Sequence, residues 1–457
     1  MNVRTAAPSD TRFSMRDRMA MYNDNALKIG LFGSNCSSGR AVTQVPERWT
    51  GNWEDNLALA RMSDEAGIEF MLPVGRWKGY GGDTDYMGTT LETITWATGL
   101  LAKTRRLIVF GTVHAPLFHP LIAAKQFVTA DHVSGGRFGL NIVVGWNEDE
   151  FQMFGVTQRE HDARYDYAQE WLEAVKLAWG PQEDFDYQGQ FIKLKNVRAK
   201  PKPHGGTRPL IMNAGASPAG RAFAIRNCDA FFTQASRTSM AETAKTVQAA
   251  KDDAKAQGRE LDVYAVGVVT CRPTEKEAKE YYNYATIENA DWSAVDGILG
   301  KKNISPATVG EEEFQKQRHH YAHGLGGLLM VGDPDQIARQ LADLHTAGLR
   351  GIGFSFVNYL KELPYFCDEV LPRLERMGIR QKRPEDTDCR ATGCASEATS
   401  THRRSARPAR IASASSRARP APAQPFPPAP EDRPLGAPRS SPGRCVRTPA
   451  RPRRSPP

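Results

Sequence analysis

Thr112 and Asn141 stand near the ends of two apolar, β-branched runs, Leu107 to Thr112 and Phe138 to Val144. A hydroxyl and a carboxamide on adjacent strand ends can donate and accept hydrogen bonds while staying uncharged, which suits a neutral diatomic molecule or the edge of a flavin ring. The plainer reading is that each satisfies local backbone groups, as buried Thr and Asn usually do. Gly215-Ala216-Ser217 leads into a helical stretch with no bulk to obstruct an anion. There Ser217 is an N-cap whose hydroxyl and following amides can hold a phosphate or merely start the helix. Arg164 and Tyr165, opening a long helix, either clamp the same phosphate or lie on a solvated face. His114 can touch a ligand or serve as a satisfied structural histidine. Trp77 and Trp146 can stack on a ring, though core packing selects the same residue type.

Other chemistries fail on pattern. His319, His320 and His323, with Glu311 to Glu313, look like metal ligands, but adjacent histidines point to different faces and no spacing matches a zinc site. No metal is expected. The chain contains no GxSxG, SxxK, HExxH or GxxxxGKS/T motif, which removes the commonest hydrolase, metalloprotease and P-loop readings.

The residues singled out need elements to position them. Short apolar runs alternate with stretches of helical periodicity from Lys28 onward, the pattern of βα units around a parallel sheet. Strands are predicted at Lys28 to Phe32, Ile68 to Pro73, Leu107 to Thr112, Phe138 to Val144, Pro209 to Asn213, Ala230 to Phe232, Val263 to Cys271 and Gly351 to Phe356. One intervening helix has Asp333 as N-cap, Pro334 in its first turn, Ile337, Leu341 and Leu344 on one face, and Gly348 to close it. Another carries Ala168, Trp171, Leu172 and Val175 on one stripe and ends at Gly180-Pro181. Such units close as a (β/α)8 TIM-type barrel or spread as a doubly wound sheet; the absence of GxGxxG after the first strand favours the barrel. Two insertions interrupt the alternation. Residues 184 to 200 read as a hairpin about Gln188-Gly189, and residues 284 to 325 fit neither a strand nor one clean helix and suggest a lid over the barrel mouth. In a barrel the chemistry sits where strands run out at the C-terminal face. Here that gives Asn35-Cys36 after the first, Gly75-Arg76 after the second, His114 after the third and Gly145-Trp146 after the fourth.

The formal charge of +8 over 457 residues is uneven, because residues 381 to 457 hold 16 Lys/Arg against 6 Asp/Glu and 15 of the 30 prolines. The first 380 residues are therefore nearly neutral, and nucleic acid is an unexpected partner for them. The Arg/Pro/Ser-rich tail cannot bury enough apolar surface to fold and is expected to be disordered; its deletion should leave activity intact. It is read as an inert or accidental extension, with an acidic-surface or nucleic-acid arm as the alternative. Seven cysteines without paired spacing, no signal peptide and no membrane-length apolar run lead to an expectation of a cytoplasmic protein. The expected organisation is an N-terminal arm over 1–27, a barrel domain over 28–380 and the tail over 381–457.

The string Ser134-Gly135-Gly136-Arg137-Phe138-Gly139-Leu140-Asn141-Ile142-Val143-Val144-Gly145-Trp146 resembles the fourth-strand region of bacterial luciferase-like, FMN-dependent monooxygenases. Gly79-Tyr80-Gly81-Gly82, Arg164-Tyr165-Asp166-Tyr167 and Asn213-Ala214-Gly215-Ala216-Ser217 agree in order and approximate spacing. The similarity spans roughly Lys28 to Arg380 and lies nearest the branch of pyrimidine and dimethylsulfone monooxygenases. It implies a luciferase-like barrel with an insertion lid, reduced FMN (FMNH2) from a separate NAD(P)H-dependent flavin reductase, O2 as co-substrate, and a dry site in which the flavin does the hard chemistry. By the same resemblance, Thr112 and Asn141 match positions that hold oxygen against the flavin. Gly75, Arg76 and Glu150 match flavin contacts, and Arg164, Tyr165, Gly215 and Ser217 match the ribityl and phosphate end. Asn35, Cys36, Trp77, His114 and Trp146 are candidate substrate contacts. Where the pyrimidine-oxidising members carry a bulky apolar pair and a lysine, this chain has Asn35-Cys36-Ser37-Ser38-Gly39 and Arg76. A small aromatic or heterocyclic substrate, oxygenated with ring opening or loss of a substituent such as halide, is the favoured expectation. An organosulfur substrate (sulfone or alkanesulfonate) is the alternative, and a deazaflavin-dependent oxidoreductase or a non-catalytic flavin binder is the reading from another class. A homo-oligomer, dimer or tetramer, is expected.

Overall fold

Strand parity builds the interior. Along β3 (Ile108–His114), Ile108 and Phe110 face the barrel lumen while Val109 and Val113 face the helices; along β2 (Phe70–Leu72), Phe70 and Leu72 face in and Met71 out. The computed structural model describes residues 20–215, 217–236 and 239–382, so most of the expected tail, and residues 1–19 of the expected arm, lie outside the described residues. Eight parallel strands close the barrel: β1 (Lys28–Phe32), β2, β3, β4 (Phe138–Val143), β7 (Leu210–Asn213), β8 (Ala230–Thr233), β9 (Asp262–Cys271) and β11 (Gly351–Ser355). The ring shuts through β8 on β9, β9 on β11 and β11 on β1. Large lumen rings need small neighbours: a Cβ on Gly30 would stand 2.3 Å from the Phe70 ring, and one on Gly139 would stand 2.4 Å from Phe110. Of the two arrangements open to such βα units, the expected barrel is the one observed.

Helices between the strands cover the outside. They include α1 (Trp53–Ala66), α2 (Thr93–Leu101), α3 (Pro120–Ser134), α4 (Glu148–Met153), α5 (His161–Trp179), α6 (Pro218–Asn227) and α7 (Met240–Ala256). The predicted hairpin forms from β5 (Asp184–Gln188) and β6 (Lys193–Arg198), joined by four residues rather than a two-residue turn, with Gly189 N bonded to Ile192 O at 2.9 Å. At the N-terminal face Glu69 is fully buried and pairs with Arg380 at 3.1 Å, while also accepting Ile29 N at 2.9 Å. This buried knot joins the end of the barrel domain to its first two strands.

The segment expected to fit neither a strand nor one clean helix is a run of short helices. After α8 (Glu275–Asn283) and a π-helical turn at Tyr284–Glu288 come α9 (Trp292–Lys301), α10 (Pro306–Val309) and α11 (Glu311–Ala322). Breaks at Asn289, Asn303 and Gly310 cut the apolar stripe into pieces too short to show a period. These helices are packed, not loose: Ala294, Val295, Ile298 and Leu299 bury against Cys36, Val42, Tyr80 and Tyr86 from the loops after β1 and β2, and Asp291 accepts Thr84 N at 2.8 Å. The chain returns through β10 (Leu328–Gly332), which the sequence reading lacked; it pairs with the upper half of β9. Helix α12 (Pro334–Thr346) then starts at Asp333 with a capping box. No helix among the described residues is long and apolar enough to cross a membrane.

Candidate active site

Register places Thr112 beside Asn141, paired across β3 and β4 at the C-terminal end of the barrel. The Thr112 hydroxyl donates to the Pro73 carbonyl at 2.8 Å, so its proton is committed, and its oxygen accepts Asn141 Nδ2 at 3.1 Å. These bonds orient the carboxamide. Asn141 Oδ1 is then left buried without a partner, at a cost of about 1–3 kcal/mol for an unmet acceptor. An N–H or O–H donor on a bound molecule would meet it.

Above the pair, Glu150 on α4 is 1% exposed and holds Arg76 Nη1 at 2.9 Å. It also accepts the backbone N–H groups of Trp77 at 2.8 Å and Lys78 at 3.3 Å. The carboxylate thereby pins the loop after β2. His114 Nε2 lies 3.9 Å from Glu150; burial nonetheless pulls the imidazole down to about 4, so it is neutral near pH 7. Gly75 lies against both residues, since a Cβ there would meet His114 Cε1 at 2.9 Å and Thr112 Cγ2 at 3.0 Å. The Arg76 guanidinium lies 4.7 Å from the Tyr80 ring centre and 5.7 Å from that of Trp146.

A second cluster forms at the start of α6. Ser217 caps the helix by accepting Gly220 N at 3.1 Å, and the Tyr165 hydroxyl bonds to Ser217. A Cβ on Gly215 would come within 2.7 Å of Tyr165 Oη and of Gly220 Cα, so this approach requires glycine. Arg164 reaches the Gly145 carbonyl and keeps Nε buried without a partner. A helix N-terminus, a tyrosine hydroxyl and an arginine with a spare donor make a setting for an anion.

A cavity of about 330 Å³ opens at the barrel mouth, bounded by Phe32, Leu72, Asn141, Trp146, Ala214 and Phe232 among others. Its size falls within the roughly 300–1,000 Å³ range of small-molecule sites. Ala214 joins it to the cluster at Gly215.

The candidate substrate contacts divide. Trp146 lines the cavity and is 43% exposed. Trp77 packs against Phe154 at 5.0 Å and Phe118 at 6.2 Å instead. Asn35 and Cys36 do not present themselves to the cavity, contrary to expectation. The Asn35 carboxamide is used up on Val74 O at 2.9 Å, Leu91 O at 3.1 Å and Val74 N at 2.8 Å. Cys36 is fully buried beneath the insertion helices, and burial pushes its thiol up to about 12. Both hold the fold of the loop after β1.

The family model for luciferase-like monooxygenases matches residues 27–351. The chain belongs to that family. Among relatives of this luciferase-like monooxygenase, an FMNH2-dependent dimethylsulfone monooxygenase of Pseudomonas putida is 31% identical over 362 residues, covering 77% of this chain and 96% of that protein. The pyrimidine monooxygenase RutA of an Enterobacter species is 27% identical, covering 76% of this chain and 96% of its own length. Among solved structures, DmoA from Hyphomicrobium sulfonivorans superposes with a TM-score of 0.70 at 17% identity, covering 78% of this chain and 90% of that one. A riboflavin lyase solved with modified FMN and riboflavin gives 0.69 at 22%, covering 77% and 92%. Those structural likenesses speak to the fold.

Several cavity residues of this luciferase-like monooxygenase escaped the sequence reading. Thr233 ends β8 and Gln234 follows it, and Arg40 and the Leu325-Gly326-Gly327 turn also border the space. The rule that chemistry sits at strand ends could have found Thr233 and Gln234. Arg40 lies eight residues beyond β1, and no local pattern marks it.

Proposed function

We propose that this chain is the oxygenating component of a two-component monooxygenase, binding reduced FMN from a separate NAD(P)H-dependent flavin reductase and using O2 to oxygenate a small organic substrate. The observation that carries the reading is Asn141 Oδ1, buried, unpaired and oriented by Thr112 on the cavity wall. The residues fit FMN. The buried, unmet Asn141 Oδ1 and Arg164 Nε leave an acceptor and a donor for such a ligand, and the α6 terminus with Ser217, Tyr165 and Arg164 would hold the phosphate. Reduced FMN supplies the electrons that activate O2.

The chain's own groups orient and desolvate. Thr112 and Asn141 offer an uncharged acceptor where ligand polarity must be met without a counter-ion. Glu150 neutralises Arg76 and fixes the loop that carries Gly75, and neutral His114 adds no charge. Phe32, Leu72 and Phe232 keep the floor apolar, which limits water at the reacting centre. For the substrate we favour a small aromatic or heterocyclic compound, because Trp146 presents a ring at the cavity wall. An organosulfur substrate is the second reading, favoured by the 31% identity to a dimethylsulfone monooxygenase.

The test supplies the full chain with FMN, NAD(P)H and a flavin reductase under labelled O2, against heterocycles, haloaromatics, sulfones and sulfonates. Label appearing in an FMN-dependent product supports the proposal. Flavin-dependent hydride transfer without label, or flavin binding without any product, would overturn it.

A further inference from the structure

Arg40 is 8% exposed and lines the barrel-mouth cavity. Two other buried arginines are fully engaged. Arg137 donates to the carbonyls of Leu101, Thr104, Leu107 and Ser134 and to the Thr104 hydroxyl, and Arg380 has Glu69. Arg40 makes one side-chain hydrogen bond, from Nη2 to the Gly324 carbonyl, and its Nε is buried with no partner. Its ionisable neighbours are Tyr86, Tyr359, Cys36 and Tyr80, which burial keeps neutral by raising each of them. No carboxylate among the described residues pairs with it. A buried guanidinium without a counter-ion is costly, and the structure makes room for this one: a Cβ on Gly33 would press on the Arg40 stem at 3.0 Å, and the guanidinium lies 4.6 Å from the Phe32 ring centre. Lys302, 4.7 Å from the ring centre of Trp146, places a second cation by the same cavity.

We infer that Arg40 anchors an oxyanion of the substrate, so that the molecule oxidised here carries a carboxylate, sulfonate or sulfinate. Arginine matches such groups with paired N–H donors, and a dry, otherwise apolar wall strengthens the contact. The inference rests on the monooxygenase reading only in treating the bound anion as substrate. The neutral compounds in the names of the two relatives above, a sulfone and pyrimidines, do not call for such an anchor.

Binding is measured by calorimetry on the full chain, with and without saturating FMN, using benzenesulfonate, benzoate and methanesulfonate beside the neutral methyl phenyl sulfone and dimethylsulfone. Arg40→Gln removes the charge and can keep the bond to Gly324; Arg40→Lys keeps the charge without the fork. Near-ultraviolet circular dichroism verifies that each variant is folded. At least one anion should bind the natural protein and weaken roughly 10- to 100-fold in Arg40→Gln, with partial recovery in Arg40→Lys and neutral ligands unchanged. No anion binding to the natural protein, or equal loss for neutral and anionic ligands, overturns the proposal. So does a loss of FMN affinity in Arg40→Gln with riboflavin unaffected, which would make the flavin phosphate the anion held. If FMN fails to bind while Arg40-dependent anion binding persists, the anion site stands and the flavin reading falls.

Discussion

Substituting Asn141 separates a residue kept for chemistry from one kept for stability. In the ligand-free protein Asn141 makes one side-chain bond, to Thr112 at 3.1 Å, while its Oδ1 is buried and unmet. Losing a neutral hydrogen bond costs about 0.5–1.5 kcal/mol, and an unmet buried acceptor costs about 1–3 kcal/mol. Asn141→Ala removes both together. The net change in ligand-free stability should therefore lie between about 0.5 kcal/mol of loss and about 2.5 kcal/mol of gain. Thr112→Val behaves differently. It strands the Pro73 carbonyl and Asn141 Nδ2, two buried groups, at about 2–6 kcal/mol in all. Urea denaturation midpoints of the ligand-free proteins give the stability arm. Product formed per reduced FMN consumed gives the functional arm, where both variants should fall at least about tenfold while FMN affinity stays within a few-fold. Asn141→Ala that is destabilised by more than about 2 kcal/mol yet turns over normally would show that the carboxamide serves the fold, and the reasoning would be refuted.

Other perturbations test the remaining links. Ser217→Ala should weaken FMN about tenfold but leave riboflavin nearly unchanged, because only the phosphate uses the α6 terminus; fluorescence quenching of the two flavins reads the difference. His114 is held near 4 by burial against an ordinary value of 6.5. Because the unfolded chain takes up that proton first, its contribution to stability is complete above about pH 6.5 and is lost as pH falls toward about 4. Melting temperatures across that window should slope less in His114→Gln. Glu69→Gln leaves Arg380 buried without its partner at the opposite face of the barrel, so stability should drop by about 3–5 kcal/mol, while turnover per folded molecule stays unchanged; a melt paired with an activity assay on the folded fraction checks both.

Periodicity along the chain determined the βα units, because inward and outward faces alternate locally whatever the rest of the molecule does, but whether they close into a barrel is a matter of long-range strand pairing. The same parity carried Thr112 and Asn141: each follows lumen-facing positions at a strand end, so their types and places were legible before any coordinates. Ser217 was legible too, since a cap is a matter of three or four neighbouring residues. Strand β10 and the helices from Trp292 to Ala322 were not, because short pieces broken at Asn303 and Gly310 show no complete period. Nor could neighbours reveal which polar residue past a strand faces the cavity. Asn35, Cys36 and Arg40 share one loop, and its path is decided by burial against Ala294, Ile298 and Leu299, more than 250 residues away in the chain. That packing turns Asn35 and Cys36 into the fold and leaves Arg40 on the cavity wall. Local pattern supplied the strand ends, and only long-range packing chose among the side chains that loops hang from them.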